Sequence, residues 1–137
     1  RASHAEQSII PALRASRNVI SDRFDSSTFA FQVCAEQHPE LEGLFYECRK
    51  AILSECLPDA YIFLDLPVSE AISRRKSDAG KAMDSFDKKD SEYHERVRKG
   101  FKKFKPDGKS AVYIIDANRS TEEVHKEVWG IVQKILL

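Results

Sequence analysis

An aspartate followed directly by an arginine, Asp22-Arg23, closes the short apolar stretch Asn18-Val19-Ile20-Ser21. Such a pair can serve phosphate chemistry: the guanidinium grips two phosphate oxygens at once, and the carboxylate holds a magnesium ion or its waters. The same two side chains could instead form an ion pair that ties a loop to a strand end. Two further acids close apolar runs: Asp65, followed by Leu66-Pro67, and Asp116, followed by Ala117-Asn118-Arg119. Other reactive residue types are scattered. His4, His38, His94 and His125 show neither HExxH nor paired-ligand spacing and read as surface residues. Cys34, Cys48 and Cys56 are odd in number and lack CxxC spacing, so they read as reduced thiols rather than disulfides or metal ligands. No G-x-x-x-x-G-K-[ST] occurs in the sequence; the Gly-Lys pairs, Gly80-Lys81 and Gly108-Lys109, lack the required preceding glycine.

The elements that must position these residues alternate along the chain. Residues 1–16 are expected to be helical, with Ile9, Ile10 and Leu13 on one face and a kink or a local irregularity at Pro11. Residues 18–21 read as a short buried strand, 26–36 as a helix, and Pro39 opens a longer one carrying Leu41, Leu44, Phe45, Cys48, Ile52 and Cys56 at helical spacing. Residues 60–66 form the strongest strand signal, a nearly continuous apolar run of the kind covered on both faces. A helix from Val68, a polar Gly-containing loop over 76–85, and an amphipathic helix over 87–104 with Tyr93, Val97, Phe101 and Phe104 inward follow. Residues 111–116 read as a third buried strand. Ser120 with Glu123 predicts a capping box for a last helix packed through Val124, Val128, Val132 and Ile135, with Trp129 as a packing residue. Short apolar strands alternating with helices predict a parallel α/β sheet with flanking helices, in which ligands sit beyond the carboxyl ends of the strands.

Composition narrows the function classes. Lys plus Arg and Asp plus Glu number 22 each in 137 residues, so no global field favours nucleic acid or membrane. The apolar runs are strand-sized, too short to span a bilayer. The basic stretch Lys99–Lys105 reads as a solvated helix end whose cations complement the helix dipole, with Phe101 and Phe104 at core spacing. One domain in a reducing, cytoplasmic compartment is expected.

Several pieces taken in order carry a family resemblance. They are Arg1-Ala2-Ser3-His4, Ile10-Pro11-Ala12-Leu13, Val19-Ile20-Ser21-Asp22-Arg23-Phe24 and Ser26-Ser27-Thr28-Phe29-Ala30-Phe31-Gln32, then Leu57-Pro58-Asp59 leading into Phe63-Leu64-Asp65-Leu66-Pro67, Asp84-Ser85-Phe86-Asp87, and Ile115-Asp116-Ala117. In order and spacing they resemble the thymidylate kinase family over nearly the whole chain. The resemblance implies a P-loop nucleoside monophosphate kinase-like fold that is incomplete here, its P-loop strand absent. The activity it implies is transfer of the ATP γ-phosphoryl group to thymidine monophosphate with Mg2+, in an intact protein.

The resemblance also implies residue roles. Arg1 matches an Arg that hydrogen-bonds the thymine, Arg23 the Arg that grips the acceptor phosphate, and Asp22 its neighbour near the metal. Thr28, Phe31 and Gln32 fall on the stretch lining base and sugar, where Phe31 would exclude a ribose 2′-hydroxyl or serve simply as a core aromatic. Arg74, Arg75, Lys76 and Lys81 fall in or beside a mobile lid, as cations over the transferring phosphoryl group or as solvated surface charge. Asn118 and Arg119 fall where the family surrounds the adenine. Departures are the replacement of a Gly-rich loop by Val33–His38, Ser85 where many relatives place a lid Arg, and the missing phosphate-cradling pattern. They keep two alternatives open: a kinase for another nucleotide, and a non-catalytic interaction or scaffold domain. A missing N-terminal segment or a partner chain is expected to complete the sheet, residues 18–22 are expected not to pair directly with 60–66, and a homodimer is left open.

Overall fold

Two short apolar runs rich in β-branched and aromatic residues become strands β1 (Ala60–Asp65) and β2 (Ala111–Asp116) in the computed structural model, which describes residues 2–77, 89–106, 108 and 110–137. They pair in parallel with Ala60 opposite Ala111 and Asp65 opposite Asp116. The register places both terminal acids side by side at the carboxyl end of the sheet, and the Ala117 N–H bonds the Asp65 carbonyl at 2.8 Å just beyond it. The parallel α/β class with flanking helices is as the sequence reads. Arg1 and most of the expected lid, including Lys81, Met83 and Ser85, lie outside the described residues.

Before β1 the chain is helical in short pieces. Helix α1 (Ala2–His4) passes into a π-helical turn, Ala5–Ile9, and then α2 (Ile10–Arg14). The Ile10 N–H reaches back to the Ala5 carbonyl, a widened turn that directly precedes Pro11. Proline cannot continue the i→i−4 ladder, so the expected irregularity takes this form. Helix α3 (Asp25–Thr28) likewise runs into a π-helical stretch, Phe29–Ala35. A 3-10 turn over Pro39–Leu41 leads into α4 (Glu42–Leu53).

The expected buried strand over 18–21 is not formed. These residues are exposed, Ile20 to 93% of its surface, and 18–22 do not pair with 60–66. A lone strand leaves its N–H and C=O groups without partners, so Val19 and Ile20 cannot hold strand geometry without a neighbour to pair with.

After β1 come α5 (Val68–Ser77) and α6 (Ser91–Lys103), and α7 (Thr121–Leu136) follows β2. Asp90 caps α6 by accepting from the Tyr93 N–H at 2.7 Å, and the Ser120–Glu123 capping box opens α7 as expected. The main aromatic core gathers Phe29, Val33, Tyr61 and Phe104, flanked by Phe45, Tyr46 and Phe63. Gly100 of α6 lies against the π-helical stretch, where a Cβ would sit 2.8 Å from the Ala30 Cα and 2.9 Å from the Cys34 Cβ. Three expectations about packing need correction. Strand β1, read as covered on both faces, and β2, read as buried, leave Leu64, Val112 and Ile114 exposed, because in a two-stranded sheet each strand is an edge and the described helices cover the faces only in part. Leu41, Leu44, Cys48 and Ile52 of the α4 pattern are exposed, because the helix turns Phe45, Arg49 and Leu53 inward instead. Helix α7 buries none of its residues; Val124, Val128 and Val132 are half-covered, while Ile135 and Trp129 are exposed, because it meets only one side of a two-stranded sheet.

Candidate functional site

The segment between α2 and α3 turns sharply at Arg23. Its φ of +67° is a left-handed conformation that a side chain with a Cβ adopts only when its surroundings hold it there. The Ser21 hydroxyl donates to the Arg23 carbonyl at 2.9 Å and braces the turn. Phe24 is buried against Ala5, Ile9, Leu53 and Cys56, so the chain is pinned on one side of the turn while Asp22 and Arg23 stay exposed.

The Arg23 guanidinium lies 5.8 Å from the centre of the Phe31 ring, close enough for cation–π attraction. Phe31 is half-buried and meets Phe101 edge-on at 6.0 Å. Its π-helical stretch also carries Gln32, which is exposed, and follows the half-buried Thr28. An exposed cation and an aromatic face therefore share one patch, and an exposed carboxylate, Asp22, precedes the cation in sequence. That combination suits a planar ring bearing an anionic group.

Beneath the patch lies a buried charged cluster that periodicity alone did not reveal. Asp25 accepts from Arg49 Nε, and the Tyr61 hydroxyl donates to its carboxylate oxygens at 2.9 and 3.0 Å. The Arg49 guanidinium in turn donates to the Tyr61 oxygen at 3.1 Å. Only 1% of the Arg49 and 4% of the Asp25 side chain meets solvent. Burial opposes the Arg49 charge, but the bonds to Tyr61 and Asp25 outweigh it and raise its pKa; burial above all pushes the Tyr61 phenol well above its usual range. A signal was present in the sequence: Arg49 falls midway between Phe45 and Leu53 on the inward face of α4, and an inward Arg requires a buried acid.

The carboxyl end of the sheet is arranged differently. Asp65 accepts from two of the three Arg98 guanidinium nitrogens, at 2.6 and 3.0 Å, and pairs with Lys102 at 2.6 Å. The Arg98 hydrogen bond is the main cause that holds its pKa down to about 2. Asp116 accepts from the Asn118 N–H at 2.8 Å, and Arg119 bonds the Asp116 carbonyl and Glu127. Arg74 bonds Glu70 at 2.8 Å, the Ala117 carbonyl at 3.3 Å and Asn118 Oδ1 at 3.4 Å. Two groups of anticipated residues are thus brought together, Arg23 with Phe31 and Arg74 with Asn118. Arg119 is held instead by its own turn and by Glu127, and Arg75 is half-buried on α5. For the metal, Asp22 is an exposed carboxylate; no group of three His, Cys, Asp or Glu that could hold an ion occurs among the described residues. One carboxylate fits magnesium that is ligated mainly by phosphates and water.

The sequence profile of the family described as thymidylate kinase matches residues 1–128. The chain belongs to the thymidylate kinase family. It is 31% identical over 135 residues to the thymidylate kinase of Afipia carboxidovorans, covering 97% of this chain and 58% of that protein. It is 31% identical over 138 residues to that of Rhodopseudomonas palustris, covering 100% and 59%, and 33% identical over 136 residues to that of Symbiobacterium thermophilum, covering 99% and 61%. This family member thus spans about three-fifths of the length of the curated relatives it matches. Among its described residues no helix is long and apolar enough to cross a membrane.

Proposed function

We propose that the protein carrying this chain transfers the γ-phosphoryl group of ATP to thymidine monophosphate, and that residues 22–32 form the acceptor site. The observation that carries this reading is Arg23, held in a left-handed turn with its guanidinium over the Phe31 ring. Arg23 grips the acceptor phosphate bidentately, Phe31 packs against the nucleoside, and Thr28 and Gln32 supply polar contacts beside it. Arg1 hydrogen-bonds the thymine. Asp22 helps to hold magnesium, which when bound neutralises charge on the phosphates. Arg74, Arg75 and Lys81 are assigned to stabilising charge on the transferring group, and Asn118 and Arg119 to holding the adenine of the donor. The chain's own residues do little covalent work in this scheme; they align the acceptor oxygen and hold charge in place. A cytoplasmic setting follows from the substrates.

The test is product formation by the full-length protein. With magnesium-ATP it should release ADP and thymidine diphosphate in equal amounts, faster with thymidine monophosphate than with other nucleoside monophosphates. Preference for a different monophosphate would assign the site to another nucleotide kinase. Tight nucleotide binding without ADP release would favour a non-catalytic domain.

A further inference from the structure

We infer that Asp25, Arg49 and Tyr61 act as a positioning unit for the acceptor site, setting Arg23 through a buried charge network that touches neither ligand. The inference rests on the assignment of Arg23 to the acceptor phosphate.

The three residues come from three elements: the first turn of α3, the inward face of α4 and the second position of β1. Asp25 stands two residues after Arg23 and six before Phe31, so whatever fixes Asp25 fixes the start of the helix that carries the patch. The network closes on itself. The Tyr61 hydroxyl accepts from Arg49 and donates to Asp25, while Arg49 Nε bonds the same carboxylate. Around it stand apolar rings: the Tyr61 ring lies 5.1 Å from Phe104, and the Arg49 guanidinium 5.8 Å from the same ring.

Stability alone gives a weak reason for such an arrangement. Taking two charges out of water costs about as much as their attraction returns, and well-packed apolar replacements of buried ion pairs are often as stable or more so. What a closed ionic network supplies that apolar packing does not is one set of positions, because a shifted carboxylate loses directional bonds in a dry site. The element it fixes is the one that needs fixing. Arg23 is held at an unfavourable φ of +67°, and a phosphate clamp loses affinity when its guanidinium wanders by fractions of an ångström. The helix that follows is π-helical, a wound form seldom chosen without outside support.

The experiment uses the full-length protein and two ligands, thymidine monophosphate and thymidine, which differ only by the phosphate. An apolar triple variant (Asp25→Leu, Arg49→Met, Tyr61→Phe) removes the network without stranding a charge. Tyr61→Phe alone removes one hydroxyl and keeps the ring packing, and it carries the test if the triple variant does not fold. Each is made with Arg23 present and as Arg23→Ala. With Arg23 present, the triple variant should bind the monophosphate about tenfold more weakly and Tyr61→Phe about threefold, with thymidine affinity nearly unchanged in both. The melting temperature should be nearly unchanged in the triple variant, whereas Tyr61→Phe, which takes a bond from two buried charges, should melt a few degrees lower. In the Arg23→Ala background neither should weaken monophosphate binding further, because the network acts through Arg23. Full monophosphate affinity in the folded variants, or an equal loss for thymidine and for the Arg23→Ala background, would overturn the positioning role. If Arg23→Ala alone leaves monophosphate affinity intact, the acceptor-site assignment itself fails, a different result from either of these.

Discussion

The region around Arg49 and the region around α7 bury their residues in opposite ways. On the first side, α3, its π-helical continuation, α4 and α6 interlock so closely that Phe29 and Ala30 are fully covered, and even a carboxylate and a guanidinium are sealed inside. On the second, α7 buries no residue, and Leu64, Ile114 and Trp129 keep 57%, 49% and 52% of their surface exposed. Charges follow the same division: the Asp25–Arg49 pair is dry, whereas the side chains in the pairs of Arg74 and Arg119 keep between a third and a half of their surface in solvent. Exposed pairs contribute little and tolerate rearrangement, while a buried pair admits one geometry. Conformational precision is therefore concentrated beneath the proposed acceptor patch, and the sheet end where the donor is proposed to lie is built from adjustable surface contacts.

The largest effect should come from breaking the buried pair on one side only. Arg49→Ala leaves Asp25 charged and unpaired in a dry site, and should cost about 3–5 kcal/mol of unfolding free energy in denaturant titration. A loss under ~1 kcal/mol would mean that water reaches this cluster, and the contrast between the two regions would collapse. Next comes the close approach of α6 and the π-helical stretch. Gly100→Ala puts a methyl where Ala30 and Cys34 already stand, and should cost roughly 1–3 kcal/mol by the same measurement, whereas Gly130→Ala on α7, with nothing near its Cβ position, should not destabilise. Equal losses at both glycines would erase the difference.

The smallest effect belongs to the sheet end and sharpens the comparison through pH. The Asp65 pKa is held down to about 2 from an ordinary 3.8, chiefly by the Arg98 hydrogen bond, so the folded state favours the charged form. That stabilisation is fully present above about pH 4 and is lost as pH falls through about 2. The melting temperature of the wild-type protein should therefore fall more steeply over that interval than that of Asp65→Asn. Parallel curves would show that Arg98 and Lys102 do not hold this carboxylate in solution.

How much of this was legible depended on whether a residue's neighbours were local. Strands β1 and β2 were readable because uninterrupted apolar runs need no partner to be recognised, and the Ser120–Glu123 box because its two partners stand three residues apart. The Val19-Ile20 pair had the composition of a strand, but a strand exists only when a neighbour accepts its hydrogen bonds. The apolar spacing of α4 was read through Leu44 and Ile52; the inward face runs through Arg49, and no periodicity shows that Asp25 and Tyr61 wait to receive it. At the site, the juxtaposition of Arg23 and Phe31 follows from a left-handed turn at a residue that rarely makes one, a geometry no propensity predicts.

The central claim is that Arg23 grips the acceptor phosphate, and calorimetric titration of the full-length protein with thymidine monophosphate, wild type against Arg23→Ala, tests it most directly. Hydrogen bonds to a charged group contribute about 1.5–3 kcal/mol each, so the variant should bind at least about tenfold more weakly. Arg23 is exposed, so its melting temperature should hardly move. Unchanged affinity in a variant that is folded and equally stable would contradict the account.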